Sequence, residues 1–324
     1  MTADPCLANR EPASSSVLAA PFAPLLLQRS DGQVLVLDGS QTAIMAVLNL
    51  TPDSFSDGGK HNEPLRALQK AEQLVSDGAA LLDVGAESTR PGARLLSVEE
   101  EWQRLCPVVT ELARLSLPAV LSVDTRHAEI ARRVLDHGFR LLNLAFPQHL
   151  FSSELDDPSA AALGRTQRQE LLSGFDAVVV MHSRGTPDTM RELTDYEGDL
   201  CQTVESELSL TTRMLTDDCH SLSERIVYDP GLGFAKTATQ SLTLLSQTGR
   251  LRRSLRRPIL IGASRKSMWG ALTGRPASDR LIPSVMGAAF AASLGADIVR
   301  VHDVTETQQA LLVARALSDG GPPP

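Results

Sequence analysis

The sequence predicts a (β/α)8 TIM barrel, a single α/β domain, on three observations. Short apolar runs alternate with helix-length segments, aromatic residues are scarce, and hydrophilic residues recur where the runs end. A parallel strand covered on both faces reads as a nearly continuous apolar run, and from Ile44 onward eight such runs follow one another. With aromatics at 4% of the chain, the core must be built from Leu, Val, Ile and Ala, which suits helix-on-strand packing better than a β-sandwich. Such barrels run about 250 residues as one domain, so 324 residues fit one large core. An open doubly wound sheet is the other arrangement that eight units permit.

Residues 1–40 read as an N-terminal tail, in which QVLVLDG, within Leu25 to Gly39, suits a short hairpin over the barrel bottom. The strands are expected at Ile44 to Leu48, Leu81 to Val84, Ala119 to Val123, Leu141 to Leu144, Ala177 to Met181, Ile226 to Tyr228, Ile259 to Ile261 and Ile298 to Val301. Ser97 and Glu100 in SVEEEW have capping-box spacing, and Gly78 and Gly138 stand where helices should stop. The Ala-rich segment Val285 to Leu294 reads as a helix ended by Gly295. Phe146 to Ser173 is long and polar, an irregular loop plus helix. The barrel occupies 41–318, and 319–324 form a disordered tail.

A net charge of −8 gives no basic footprint for nucleic acid, and no run of about 18 apolar residues could span a bilayer. The first residues, MTADPCLANREPASSS, lack the basic start and apolar run of a secretory signal. Cys6, Cys106, Cys201 and Cys219 are irregularly spaced, with neither a CxxC pair nor a zinc-like cluster, and read as reduced thiols. A cytoplasmic protein acting on small molecules fits best.

Eight hydrophilic residues fall at or near the run ends: Asn49, Asp83, Asp124, Asn143, His182, Asp229, Ser264 and His302. In a barrel these lie at the C-terminal rim, where active sites of this architecture are built. Any one of them alone has a bland reading: Asp229 capping the turn before Pro230, Asp124 capping a helix from Thr125, Asn49 forming a turn. His182 and Glu87 are read as structural.

The loops around these residues carry a resemblance. VLNLTPDSFSDGG (Val47 to Gly59) and DVGAESTRPGA (Asp83 to Ala93) resemble the signature loops of dihydropteroate synthases, a pterin-binding family. SVDT (Ser122 to Thr125), MHSRGTPDTM (Met181 to Met190), DPGLGFAKT (Asp229 to Thr237), GASRKSMWGALTG (Gly262 to Gly274) and VRVHDV (Val299 to Val304) follow in the family's order. The match covers about residues 41–316. It implies a transferase of folate biosynthesis, the target of sulfonamides, that joins a pterin pyrophosphate to para-aminobenzoate.

By that resemblance Asp124, Asn143, Asp229 and Lys266 hold the pterin ring, whose polar edge calls for buried acceptors. Arg300 and His302 grip the pyrophosphate; two apart on one strand, they point to the same side. Asn49 is implied as the protein ligand of Mg2+, a hard cation that keeps water and phosphate oxygens elsewhere in its shell. The loops Thr51 to Asn62 and Ala86 to Ser97 have the composition of mobile segments, and Asp57 and Arg90 are implied to join the closed site. Phe55, Thr89 and Pro91 are implied near the aminobenzoate, with Phe234 lining the same pocket and Ser267 facing the carboxylate from a helix start. Catalysis is expected to fall to Asp124, Lys266, Arg300, Asp57 and Arg90. The family also implies a homodimer, with Val285 to Leu294 as a candidate face.

Three positions depart from the family pattern. Leu144 stands where an acid usually follows the Asn, an expected change to the rim beside the pterin. Ala86 and Ala235 each replace a glycine, so a positive φ at either would be strained. Two other readings share the barrel. A methyltransferase acting on methyltetrahydrofolate would have no use for a pyrophosphate grip. A non-catalytic pterin-binding paralogue is suggested by Leu144 and the 146–173 segment.

Overall fold

The structure, a computed structural model, describes residues 22–51, 63–87, 94–144, 146–147 and 164–319. Phe55, Asp57, Thr89, Arg90 and Pro91, most of the 146–173 segment and the extreme termini lie outside the described residues.

A hairpin comes first, strands β1 (Leu25–Gln28) and β2 (Val34–Leu37), paired antiparallel with Leu25 opposite Leu37. The barrel then alternates β3 (Ala43–Asn49), α1 (Glu63–Ser76), β4 (Leu81–Gly85), α2 (Val98–Leu112), β5 (Val120–Asp124), α3 (Ala128–Leu135), β6 (Leu141–Leu144), α4 (Arg165–Ser173), β7 (Ala177–Met181) and α5 (Leu200–Asp218). It continues through β8 (Ile226–Asp229), α6 (Ala238–Ser246), α7 (Thr248–Leu255), β9 (Leu260–Ile261), α8 (Ser267–Thr273), α9 (Leu281–Ser293), β10 (Ile298–Val301) and α10 (Val304–Asp319). Strands β3 to β10 form one parallel sheet, and a parallel bridge from Tyr228 to Ile259 joins β8 to β9 and closes the circle.

Successive side chains on a strand face opposite ways, so each short strand feeds two cores. In β4, Leu82 and Val84 pack outward among the helices, while Leu81 enters the barrel. The same parity sends Met45, Val120, Leu141, Ala177, Val227, Leu260 and Ile298 inward, where they form an apolar layer at the bottom. Leu25, Leu27 and Leu37 of the hairpin pack onto that layer and plug it, while Leu26, Val34 and Val36 on the opposite face stay exposed. Gln28 N donates to Asp176 Oδ2 at 2.7 Å and Ser30 N to Ala119 O at 2.9 Å, which fastens the hairpin to the strand starts. Beside it a buried ion pair, Arg252 to Asp297 through two bonds of 3.0 Å, ties α7 to the start of β10.

Helix ends follow local chemistry. Ser97 and Glu100 cap α2 reciprocally, and Glu99, Glu100 and Glu101 sit in its first turn, favourable for the helix dipole. Gly78 and Gly138 take left-handed φ of 111° and 79° in turns that lead back to the next strand. Every neighbouring pair of barrel strands is parallel, so all eight C-terminal ends meet at one mouth.

Candidate active site

The parity that fills the bottom with Leu and Val fills the mouth with polar groups. Strand register sets Asn49, Gly85, Asp124 and Asn143 side by side across β3 to β6, with Asp83 beside Ser122 one layer below. Asp83 is fully buried, and three donors satisfy its carboxylate: Ser122 Oγ at 2.6 Å, Asn143 Nδ2 at 2.9 Å and Arg300 Nε at 2.6 Å. A buried carboxylate is tolerated only when it is bonded and paired in this way.

Arg300 extends from β10 and is shared, its Nη2 donating to Asp124 Oδ2 at 2.8 Å. Two carboxylates thus compete for one guanidinium. Burial pushes Asp124 up to about 7, against the pull of Arg300 and with added repulsion from Asp83. Burial works against the charge on Arg300, but the two acids outweigh it and its pKa is raised. The expected anion grip therefore stands committed to carboxylates here, with Nη1 taking part in neither bond. Its neighbour His302, just past β10, is half-buried, with Nδ1 3.0 Å from Ser264 Oγ.

Across the mouth, Asp229 ends β8. Its Oδ1 accepts from Gly231 N at 2.7 Å, so it does cap the turn before the next loop while facing the interior. Burial raises its pKa, opposed mainly by Lys266. Lys266 precedes α8; its Nζ donates to Leu232 O and lies 4.5 Å from the centre of the Phe234 ring, a cation–π contact. Burial lowers its pKa to about 8, with Asp229 opposing the shift. Ser267 is exposed at the first position of α8, where backbone N–H groups point outward. Phe146 meets Phe234 edge to face at 6.0 Å, and with Met181 they make an apolar wall.

The structure thus brings Asp124, Asn143, Asp229, Lys266, Arg300 and Phe234 to one end of the barrel, with Asn49, Ser267 and His302 at the strand and helix ends around it. Asp124 pairs with Arg300 rather than capping α3, whose N-cap residue is His127. One expectation about the departures is corrected and another is resolved. Leu144 is buried in the outer core among the helices, because its neighbour Asn143 takes the inward direction, so it does not line the mouth. Ala86 does not adopt a positive φ, whereas Ala235 does, at 47°, a conformation costing about 1 kcal/mol or more for a residue with a Cβ. Sequence reasoning also gave no role to Asp83, the hub of the acidic side, or to Lys236. Strand parity with Ser122 and Asp124 would have pointed to Asp83; only the loop's folded path reveals Lys236.

A mouth that presents buried acceptors on one side, a lysine against an aromatic wall on the other and an arginine between them has the make-up of an enzyme site for a small polar molecule. The chain belongs to the pterin-binding enzymes, whose family model matches residues 45–302. It is 40% identical over 287 residues to the dihydropteroate synthase of Synechocystis, covering 88% of this chain and 93% of the relative. Its fold matches the Yersinia pestis dihydropteroate synthase bound to a sulfonamide drug, with a TM-score of 0.77 and 34% identity over 92% of this chain and 100% of that one. The Burkholderia cenocepacia enzyme complexed with 7,8-dihydropteroate matches with a TM-score of 0.73 and 34% identity, covering 92% and 98% of the two chains.

Proposed function

We propose that this chain is a dihydropteroate synthase, condensing 6-hydroxymethyl-7,8-dihydropterin pyrophosphate with para-aminobenzoate to 7,8-dihydropteroate and pyrophosphate. The observation that carries the reading is the shared arginine: Arg300 bridges Asp83 and Asp124 at the centre of the mouth, opposite Asp229 and Lys266. The relatives of this name and the solved complex with 7,8-dihydropteroate support it.

In this reaction the C–O bond to pyrophosphate breaks, the arylamine nitrogen bonds to the freed methylene carbon, and the nitrogen loses a proton. No protein nucleophile is needed; the protein positions two partners and balances charge. Asn143, Asp124 and Asp229 take the pterin's polar edge, and Lys266 lies over it. Arg300 turns toward the departing anion, which frees the Asp124 carboxylate to stabilise positive charge developing on the pterin. His302 adds a second donor at the rim, and Phe234 and Ser267 receive the aminobenzoate ring and carboxylate. Asp57, Arg90, Phe55, Thr89 and Pro91 complete this assignment from the two loops.

Mg2+ belongs to the reading as well. The Asn49 side-chain oxygen at the end of β3 would be its protein ligand, a hard neutral donor of the kind this cation accepts, with the remainder of its shell from water and phosphate. Bound there, it would neutralise the leaving pyrophosphate. A homodimer is proposed through α9, whose Ile282, Met286 and Phe290 form an exposed apolar stripe that a second copy would cover. No described helix is long and apolar enough to cross a membrane, and a cytoplasmic location is part of the proposed reading.

The test mixes the purified protein with the pterin pyrophosphate, aminobenzoate and Mg2+ and follows pyrophosphate and dihydropteroate. Stoichiometric formation of both, inhibited by a sulfonamide in competition with aminobenzoate, is expected. Tight pterin binding without turnover would overturn the reading.

A further inference from the structure

Behind the Phe234 wall lies a polar network that the condensation does not use. Lys236 is 7% exposed and His182 3% exposed, and the lysine Nζ sits 2.8 Å from His182 Nδ1 while donating to Phe234 O at 2.9 Å. His182 Nε2 lies 2.9 Å from Glu207 Oε2, and Arg184 donates its Nε to the same oxygen at 3.0 Å. The Arg184 guanidinium stacks 3.9 Å from the Tyr196 ring centre, and Tyr196 Oη donates to Ala235 O at 2.9 Å.

Burial, with Lys236 adding repulsion, lowers His182 to about 4, so its ring is neutral and carries one proton. Glu207, an acceptor only, requires that proton on Nε2; Nδ1 then accepts from Lys236. The chain of bonds therefore runs in one direction, from the ammonium through the imidazole to the carboxylate. Two consecutive backbone carbonyls, of Phe234 and Ala235, each receive a donor from it. They need one, because the loop has left the sheet and has no ladder partner. The loop is pinned at its start too: Gly231 has φ 66°, and a Cβ there would lie 1.9 Å from His182 O, so the two backbones touch.

We propose that Lys236 and His182 are positioning residues for the aminobenzoate side of the mouth, a buried strut that fixes the 230–237 loop and thereby the Phe234 ring. A methionine would fill the space of Lys236 without the cost of burying a cation, and that cost is visible in a pKa pushed down to about 7 by burial. Asp229, Lys266, Glu207 and Arg184 also act on this lysine, yet its hydrogen bonds go to His182 and to the loop. The strut holds Ala235 in its left-handed conformation, which the loop would otherwise relax.

This inference rests on the proposed function for its substrate, and the experiment separates the two. Lys236→Met is compared with the parent by hydrogen–deuterium exchange over 229–237 and by steady-state kinetics with aminobenzoate varied at saturating pterin pyrophosphate. Loop amides should exchange about tenfold faster and the KM for aminobenzoate should rise about tenfold, with kcat within about threefold of the parent. Tyr196→Phe, which removes only the donor to Ala235 O, should shift both readings less and in the same direction; it carries the test if Lys236→Met fails to fold. Unchanged loop exchange, or a fall in kcat at constant KM, would overturn the strut. A parent without turnover would overturn the proposed function and leave the exchange result to decide the strut.

Discussion

The two ends of the barrel interior are made by the same strands under the same alternation and have opposite chemistry. At the bottom, Met45, Leu81, Leu141 and Ile298 meet the hairpin leucines in an apolar plug. At the mouth, two to four residues further along, the inward positions are Asn49, Asp83, Asp124, Asn143 and Arg300. Burying apolar area stabilises the fold, whereas burying charge costs stability unless every group is paired. The bottom therefore supplies stability that the mouth uses to hold partly desolvated acids and a lysine in one place. Substitutions in the plug should cost stability alone, whereas those in the mouth should cost rate, with stability lost as well where a buried charge loses its partner.

The largest effect is expected from Arg300→Ala. It removes the cation between Asp83 and Asp124, so kcat/KM should fall about 10³-fold, and the uncompensated buried Asp83 should cost about 3–5 kcal/mol in urea unfolding. Because Arg300→Ala costs both rate and stability, Asp124→Asn sharpens the comparison: activity should drop while stability at pH 8 does not. Next comes Leu27→Ala in the plug, expected to cost about 2–5 kcal/mol of stability while leaving kcat/KM unchanged at temperatures where the protein is folded. A rate loss matching that of the mouth variants would erase the distinction.

A smaller effect concerns pH. Asp124 is raised to about 7, and its anion is the form that stabilises the pterin, so kcat/KM should decline as pH falls through about 7. For stability the sign is opposite. The folded state holds this proton more tightly than the unfolded chain between the ordinary carboxylate value of 3.8 and about 7, so the group's contribution is present below that window and lost as pH rises through it. Asp124→Asn should abolish that acid limb in kcat/KM; an unchanged profile would assign it elsewhere. The smallest effect is Ala235→Gly, which relieves the left-handed φ and should raise the melting temperature by about 2 °C, read by calorimetry.

The strands were legible because a buried parallel strand needs an unbroken apolar run, and Leu141 to Leu144 and Ala177 to Met181 coincide with the observed β6 and β7. The rim residues were legible as strand-end polar groups whose roles came from resemblance. Leu144 was misjudged by its place in a motif; its parity with respect to Asn143 already assigned it to the outer core. Asp83 stood in plain view among eight polar residues, but its partner Arg300 is 217 positions away, and only barrel closure joins them. Lys236 was hidden for a related reason: burial of a loop lysine depends on His182, 54 positions earlier.

The most direct test of the account is the condensation rate of Lys266→Ala beside its melting temperature. Lys266 faces Asp229 and Phe234 in the mouth and takes no part in the bottom plug, so the rate should fall by at least about 10²-fold while the melting temperature stays near the parent's. An unchanged rate would show that the chemistry is not done in this mouth.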